Sequence, residues 1–226
     1  VLAGTQGLFH HQKLDRIFEK AKTYKLPIVI FTEGGGGRPG DVDVLTQIAG
    51  MHIPSFANWA SLHKKCLRIA ITNGYCFAGN AALFGASDIR IATKGSNIGM
   101  AGPAMIEGGG LGKFSPDDIG AVESHLLNGV VDVLVENEEQ ATNMAKKILS
   151  YFQGSVDKFD NSDQELLKNI LPADRRFSYE IRDVIEIVAD LDSFIELKKG
   201  YGRSLVTGLI RVEGLAFGLL ASDCKF

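Results

Sequence analysis

The chain has no apolar run approaching the ~20 residues that a membrane-spanning helix needs, so no membrane association is expected. Neither sign of charge is in large excess. Lys and Arg number 24 against 27 Asp and Glu, a net charge of −3 with pI ≈ 6.0, which argues against sequence-independent nucleic-acid binding. Cysteine is scarce: Cys66, Cys76 and Cys224 form no C-x-x-C pair, and their odd count fits a reducing, cytoplasmic setting rather than a disulfide framework. The five histidines, His10, His11, His52, His63 and His125, lack H-x-x-x-H or carboxylate spacing, so no metal site is expected. The opening residues carry no secretory-signal pattern. The one long glycine run ends in Gly37-Arg38-Pro39, where a Walker A loop requires Gly-Lys-Ser/Thr.

What remains is a chain of ordinary globular composition, 45% hydrophobic and 23% charged, long enough at 226 residues for one large domain or one domain with part of another. Its most informative stretch is 73–89, which follows the apolar run 67–72 and leads into small residues of helical character. A strand that breaks at a glycine turn and opens a helix leaves backbone N–H groups without helical acceptors, and these can hold an anion or a developing oxyanion. A second such turn follows the strand expected at 27–32: Glu33, then Gly34 to Gly37, Arg38, Pro39, Gly40 and Asp41. Four consecutive glycines cost backbone entropy and belong where a loop must approach something closely or take positive φ. Gly35, Gly37 and Gly40 match a dinucleotide pattern only loosely, because Pro39 and Asp41 sit poorly where a helix would begin.

Apolar periodicity places a helix at 12–25, with Leu14, Ile17, Phe18 and Ala21 on its inner face. Further helices are expected near 42–49 and 56–65, and strands at 67–72, 89–92 and 130–135. This alternation predicts an α/β layer with parallel strands. A helix at 138–152 and a polar stretch at 154–169 follow. After them come an amphipathic helix at 179–190, with Ile181, Val184, Ile185 and Val188 inward, and a hairpin turning at Glu213-Gly214. Cys76 is expected to be a packed apolar residue, with a nucleophile as the alternative, and Glu33 and Glu107 to cap loops, with orienting a loop or acting as a base as the alternatives. Lys94, Lys113 and Arg38 are expected to be surface charges, with contact to phosphate as the alternative.

The turn at 73–89 resembles that of the crotonase (enoyl-CoA hydratase) superfamily. The resemblance implies an α/β ββα spiral (ClpP/crotonase fold). It places Gly79, beside Ala78, as the oxyanion-binding glycine and puts a second N–H donor at Gly35 or Gly36. Hydratases of that superfamily carry glutamates where this chain has Ala82 and Gly102, so water addition has no agent here. An enolate-stabilising site without its own side-chain base suits one branch, the carboxyltransferase portion of biotin-dependent acyl-CoA carboxylases. The chain is similar to the single-chain, fused members of that branch. Gly4-Thr5-Gln6-Gly7, the run 33–41, and the stretches 74–80, 97–112 and 150–154 occur in the family's order.

The resemblance implies transfer of a carboxyl group from carboxybiotin, carried on a separate domain, to the α-carbon of an acyl-CoA, with ATP used only at a biotin carboxylase domain. Gly34, Gly37, Arg38, Asn80, Gly102, Pro103, Gly108 and Gly109 are the implied substrate-binding residues. Implied partners are acyl-CoA, the carrier and carboxylase domains, and copies of the same chain in a dimer-built hexamer. On this reading 1–137 is part of a first crotonase-like half, 138–170 a helix and polar linker, and 171–226 the beginning of a second homologous half. Val1-Leu2-Ala3 is expected to be a strand, and the chain to be an internal piece of a longer protein, inactive alone. A biotin-dependent acyl-CoA decarboxylase subunit and a non-catalytic crotonase-fold scaffold are the alternatives.

Overall fold

The protein is described by a computed structural model covering residues 2–38, 40–41, 53–174 and 176–226; the helix expected near 42–49 lies outside them. The chain divides into two units, the first made of 1–125 and 134–145 and the second of 126–133 and 146–226.

In the first unit, the apolar runs become a parallel sheet. Its strands are β1 (Ile28–Phe31), β2 (Arg68–Thr72), β4 (Ile89–Thr93) and β6 (Val133–Val135), in the order β1-β2-β4-β6. Ile28 stands opposite Arg68, and Ile69 opposite Ile89. β2 is buried along its whole length, which is why it reads as a continuous apolar run rather than an alternating one. The helices are α1 (Leu8–Tyr24), α2 (Ser55–Ser61), α3 (Gly79–Gly85), α4 (Pro103–Gly108), α5 (Val122–Leu127) and α6 (Glu138–Ser150). A second, two-stranded parallel layer pairs β3 (Tyr75–Phe77) with β5 (Asn97–Gly99). The sequence therefore runs twice through strand, short strand and helix: β2-β3-α3, then β4-β5-α4.

The core of this unit gathers Phe18, Trp59, Leu62 and Leu83, and the Phe18 and Trp59 rings lie 4.9 Å apart. Trp59 satisfies its indole N–H on the Leu83 carbonyl at 2.9 Å. Beside it lies the buried guanidinium of Arg68. It donates to Asp88 through Nε at 3.1 Å and Nη2 at 2.7 Å, and through Nη1 to the Trp59 carbonyl at 2.9 Å. Burial pushes the Asp88 carboxyl up, but the hydrogen bonds and charge of Arg68, with a smaller contribution from His63, outweigh it and hold its pKa below the ordinary value.

Several local expectations are corrected. α1 begins at Leu8, not Gln12, because the Asp41 carboxylate accepts the Leu8 N–H at 2.9 Å and caps the helix from 33 residues away. Its Ile17 points outward, 52% exposed, while Phe18 and Ala21 are buried. Leu2 and Ala3 are not in a strand: they open a 3₁₀ turn, Leu2–Gly4, with positive φ at all three residues. Between β2 and α3 the chain forms the extra strand β3 rather than passing straight from turn to helix.

The second unit holds α7 (Leu167–Ile170), α8 (Ile181–Val188) and an antiparallel sheet of β7 (Ile195–Leu197), β8 (Leu205–Val212) and β9 (Leu215–Ser222), in the order β7-β8-β9. The hairpin turns at Glu213-Gly214, as its sequence implies, with φ of 50° and 76°. Asp190 fixes that turn by accepting the Glu213 and Gly214 N–H groups, each at 2.8 Å. Ile185, Ala189, Val206 and Ile210 form the core, with Ile181 packed on it. Val188 is exposed because the helix ends there and the chain turns extended at Ala189.

Replacing Asp88 by Ala leaves the Arg68 charge buried without its carboxylate. The expected loss is about 2–3 kcal/mol, on the low side for a broken buried pair because Asp88 keeps part of its side chain in water. Since the folded pKa of Asp88 is depressed, its contribution is complete above the unfolded value of about 3.9 and is lost as pH falls through the lower folded value. Urea denaturation at pH 7 and pH 3 checks both statements; equal stability of wild type and Asp88→Ala at pH 7 contradicts them.

Candidate active site

The first glycine turn follows the C-terminal end of β1, the side of a parallel sheet where α/β proteins place ligands, and the second, at Ala78-Gly79, follows β3, the short strand beyond the C-terminal end of β2. They are joined by backbone bonds: the Gly34 N–H donates to the Tyr75 carbonyl at 2.8 Å, and the Phe77 N–H to the Gly34 carbonyl at 2.9 Å. Asn80, buried at the start of α3, closes the connection. Its Oδ1 accepts the Gly36 N–H at 3.0 Å, and its Nδ2 donates to the Glu33 carbonyl at 3.1 Å. Gly34 and Gly36 are sterically required. A Cβ on Gly34 would lie 2.3 Å from the Gly4 carbonyl oxygen, and one on Gly36 would lie 2.6 Å from the Ala78 Cβ and 3.5 Å from the Gly79 nitrogen.

Ala78 has φ 52° and ψ −120°, the geometry of the first central residue of a type II′ turn and a strained one for a residue with a Cβ. Its own N–H is tied to the Gly99 carbonyl at 2.9 Å. The sharp turn delivers Gly79, Asn80 and Ala81 as the first turn of α3, whose N–H groups have no helical acceptor. A side chain at Gly79 would strike Gln6 Oε1 at 2.7 Å and the Phe56 ring at 2.9 Å. On the facing turn, the Gly35 N–H donates to the Ala3 carbonyl at 3.0 Å, and the Gly36 N–H is held by Asn80.

Arg38, read as a surface charge with phosphate contact as the alternative, braces the loop before α1: its Nη2 donates to the Thr5 carbonyl at 3.0 Å. A Cβ on Gly37 would meet open space. Gly102 caps α4 and Pro103 opens it, next to the Phe77 ring and the Gly34-Gly35 turn respectively. Gly108 and Gly109 lie at the other end of α4, about 9 Å along its axis. The Glu33 carboxylate accepts the Asn73 N–H and so caps a loop. Glu107 pairs with Lys113 at 3.0 Å, and Lys94 with Glu136 at 2.6 Å, all on the surface. Burial pushes the Cys76 thiol up to about 11, leaving it unreactive at neutral pH.

Three neighbours of the turns escaped the sequence reading: Tyr75, Phe77 and Asp117. The Tyr75 and Phe77 rings stack at 5.9 Å with an interplanar angle of 14°, and the Tyr75 hydroxyl donates to Asp117 Oδ1 at 2.7 Å. With Gly34, Gly35, Pro103 and Pro116, the two rings wall a crevice of about 440 Å³. A partner 42 residues away in sequence leaves no local signal; only the position of Tyr75 inside the turn could have marked it.

Over residues 1–225 the chain matches the carboxyl transferase domain family. The methylmalonyl-CoA carboxyltransferase 12S subunit of Propionibacterium freudenreichii subsp. shermanii is 29% identical over 99% of this chain and 44% of its own length. A single-chain, multi-domain long-chain acyl-CoA carboxylase of known structure superposes with a TM-score of 0.94 at 45% identity, over 100% of this chain and 22% of that one. The transcarboxylase 12S hexamer, solved with methylmalonyl-CoA and methylmalonic acid bound, gives a TM-score of 0.78 at 28% identity, over 96% of this chain and 44% of that one. The chain thus spans less than half the length of these relatives. With its parallel sheet, its repeated strand-strand-helix units and its two joined glycine turns, it belongs to the carboxyl transferase domain family, with a crotonase-like α/β fold.

Proposed function

We propose that the chain supplies the acyl-CoA side of a biotin-dependent acyl-CoA carboxylase, in which a carboxyl group passes from carboxybiotin to the α-carbon of an acyl-CoA. The observation that carries this reading is the meeting of the two glycine turns, with Gly36 packed on Ala78 and the Gly79 nitrogen next to it. The Gly79 N–H donates to the thioester oxygen as the α-proton leaves and negative charge gathers there. The Gly35 N–H joins it by exchanging the Ala3 carbonyl for that oxygen. Ala78 holds the turn that presents Gly79, while Gly36 gives the close approach. Donors fixed before the reaction stabilise the enolate without reorganising.

On this reading the base is carboxybiotin rather than a side chain of the two turns. Among the described residues at the two turns, Glu33 is engaged with Asn73, Cys76 is buried and protonated, and Ala82 and Gly102 carry no functional group. That composition fits carboxybiotin, which supplies both the carboxyl group and, once relieved of it, a ureido anion able to take the α-proton. Gly34, Gly37, Gly102, Pro103, Gly108 and Gly109 line the substrate's path, and Arg38 and Asn80 hold its loops in place. The biotin carrier, a biotin carboxylase domain that uses ATP, and further copies of the transferase in a dimer-built hexamer complete the enzyme in the cytoplasm. The chain corresponds to under half of its relatives' length, so the isolated 226-residue chain binds acyl-CoA weakly and does not turn it over.

Gly79→Pro removes the donor and fixes φ; in the complete enzyme it is expected to lower turnover by about 10²–10³. Ala82→Glu is expected to create no hydratase, because Gly102 still lacks the second carboxylate. Incorporation of labelled bicarbonate into acyl-CoA tests the first, and full activity of Gly79→Pro contradicts the assignment. Transfer by the isolated chain, from free carboxybiotin labelled in its carboxyl group to propionyl-CoA, is expected to give no product. Robust turnover there would show that the chain carries a whole active site.

A further inference from the structure

The crevice beside the Gly34-Gly35 turn is not explained by an oxyanion site, which needs only backbone donors. Its walls are the stacked Tyr75 and Phe77 rings, Pro103 and Pro116. The charged residue on it is Glu33, an anion already engaged with the Asn73 N–H, and a CoA phosphate would be repelled there. Phe77 is buried, but Tyr75 is 44% exposed, so packing alone does not hold its ring. Two contacts do: the stack on Phe77 and the hydroxyl bond to Asp117. Asp117 is itself anchored, since its backbone carbonyl accepts Asn97 Nδ2 at 3.1 Å and so ties the 3₁₀ turn Pro116–Asp118 to β5.

We propose that Tyr75, latched to Asp117, is a specificity-determining residue whose ring forms the wall on which the apolar acyl tail of the substrate lies. The proposal rests on the acyl-CoA reading above and names the part of the substrate that this crevice takes. A volume of about 440 Å³ falls in the range of small-molecule sites, roughly 300–1,000 Å³. A flat aromatic wall beside two prolines gives a hydrocarbon contact area and offers a phosphate no cation. The crevice lies against the turn that would hold the thioester oxygen, so the first carbons of the acyl chain enter beside Gly35 and later ones reach the Tyr75 ring.

The test measures kcat/KM of the complete enzyme on a series of straight-chain acyl-CoAs, with Tyr75→Ala, Tyr75→Phe, Asp117→Ala and Asp117→Asn. Each methylene that loses the wall costs a factor of about four. Tyr75→Ala is therefore expected to spare the shortest substrate and to lose tenfold or more on longer ones. Tyr75→Phe and Asp117→Ala both undo the latch, and each is expected to give the same smaller loss, without further effect when combined. Asp117→Asn keeps an acceptor oxygen and is expected to retain the wild-type profile. An equal loss at every chain length marks a structural role and overturns the proposal, as does a gain on longer chains. If wild type carboxylates no acyl-CoA at all, the functional reading itself fails; if it does and the profiles are unchanged, only the role of Tyr75 fails.

Discussion

Asn80 accepts the Gly36 N–H on its Oδ1 and donates from its Nδ2 to the Glu33 carbonyl, and these two bonds decide where the first glycine turn lies relative to α3. A run of four glycines has more backbone freedom to lose than any other four residues, so it needs external bonds to hold one conformation. A buried amide with both ends satisfied provides them. Each bond is worth about 1 kcal/mol net, but loss of Asn80 would also strand the Gly36 N–H in a buried setting, which costs more than the bond itself. The parallel pairing through Gly34 and Cys76 aligns the turns along the strands, and Asn80 fixes the remaining freedom across them.

With the turns locked, shape does the rest. Ala78 sits at positive φ with its methyl against Gly36, whose own positive φ and close approach to that methyl leave no room for a Cβ, and a Cβ on Gly79 would require the Gln6 and Phe56 side chains to shift. A positive-φ alanine costs on the order of 1–3 kcal/mol and persists because the bond to the Gly99 carbonyl and the neighbouring packing over-determine it. Arg68 acts at the opposite end of β2. Its pairing with Asp88 anchors the start of β2 beside Trp59, the strand that leads into the second turn.

Much of this was legible in the sequence. β2 and β4 stood out because buried parallel strands are continuous apolar runs, and β1 because its four residues are apolar although only half-buried. The hairpin at Glu213-Gly214 was readable because such turns demand residues that tolerate positive φ. The extra strands β3 and β5 were not readable: three residues each are too few to show a period, and they pair with each other across 19 or more residues of intervening chain. The early start of α1 depends on Asp41, and the position of the Tyr75 ring on Asp117. Neither distant carboxylate leaves a mark near the residue it fixes. The candidate glycines were proposed from their place after strands and from family resemblance, but which N–H groups are already engaged is a property of the fold. Gly35 and Gly36 both have acceptors, at Ala3 and Asn80.

The proposed function relies on backbone donors rather than side-chain chemistry, with the Gly79 N–H polarising the thioester carbonyl. Isotope-edited infrared difference spectroscopy, with a ¹³C-labelled thioester carbonyl bound to the complete enzyme, reads that polarisation directly. The expected result is a carbonyl stretch shifted to lower frequency on binding to wild type and returned toward its solution value in Gly79→Pro. A bound carbonyl that absorbs as it does in water, or a shift that survives the loss of the Gly79 N–H, would contradict it.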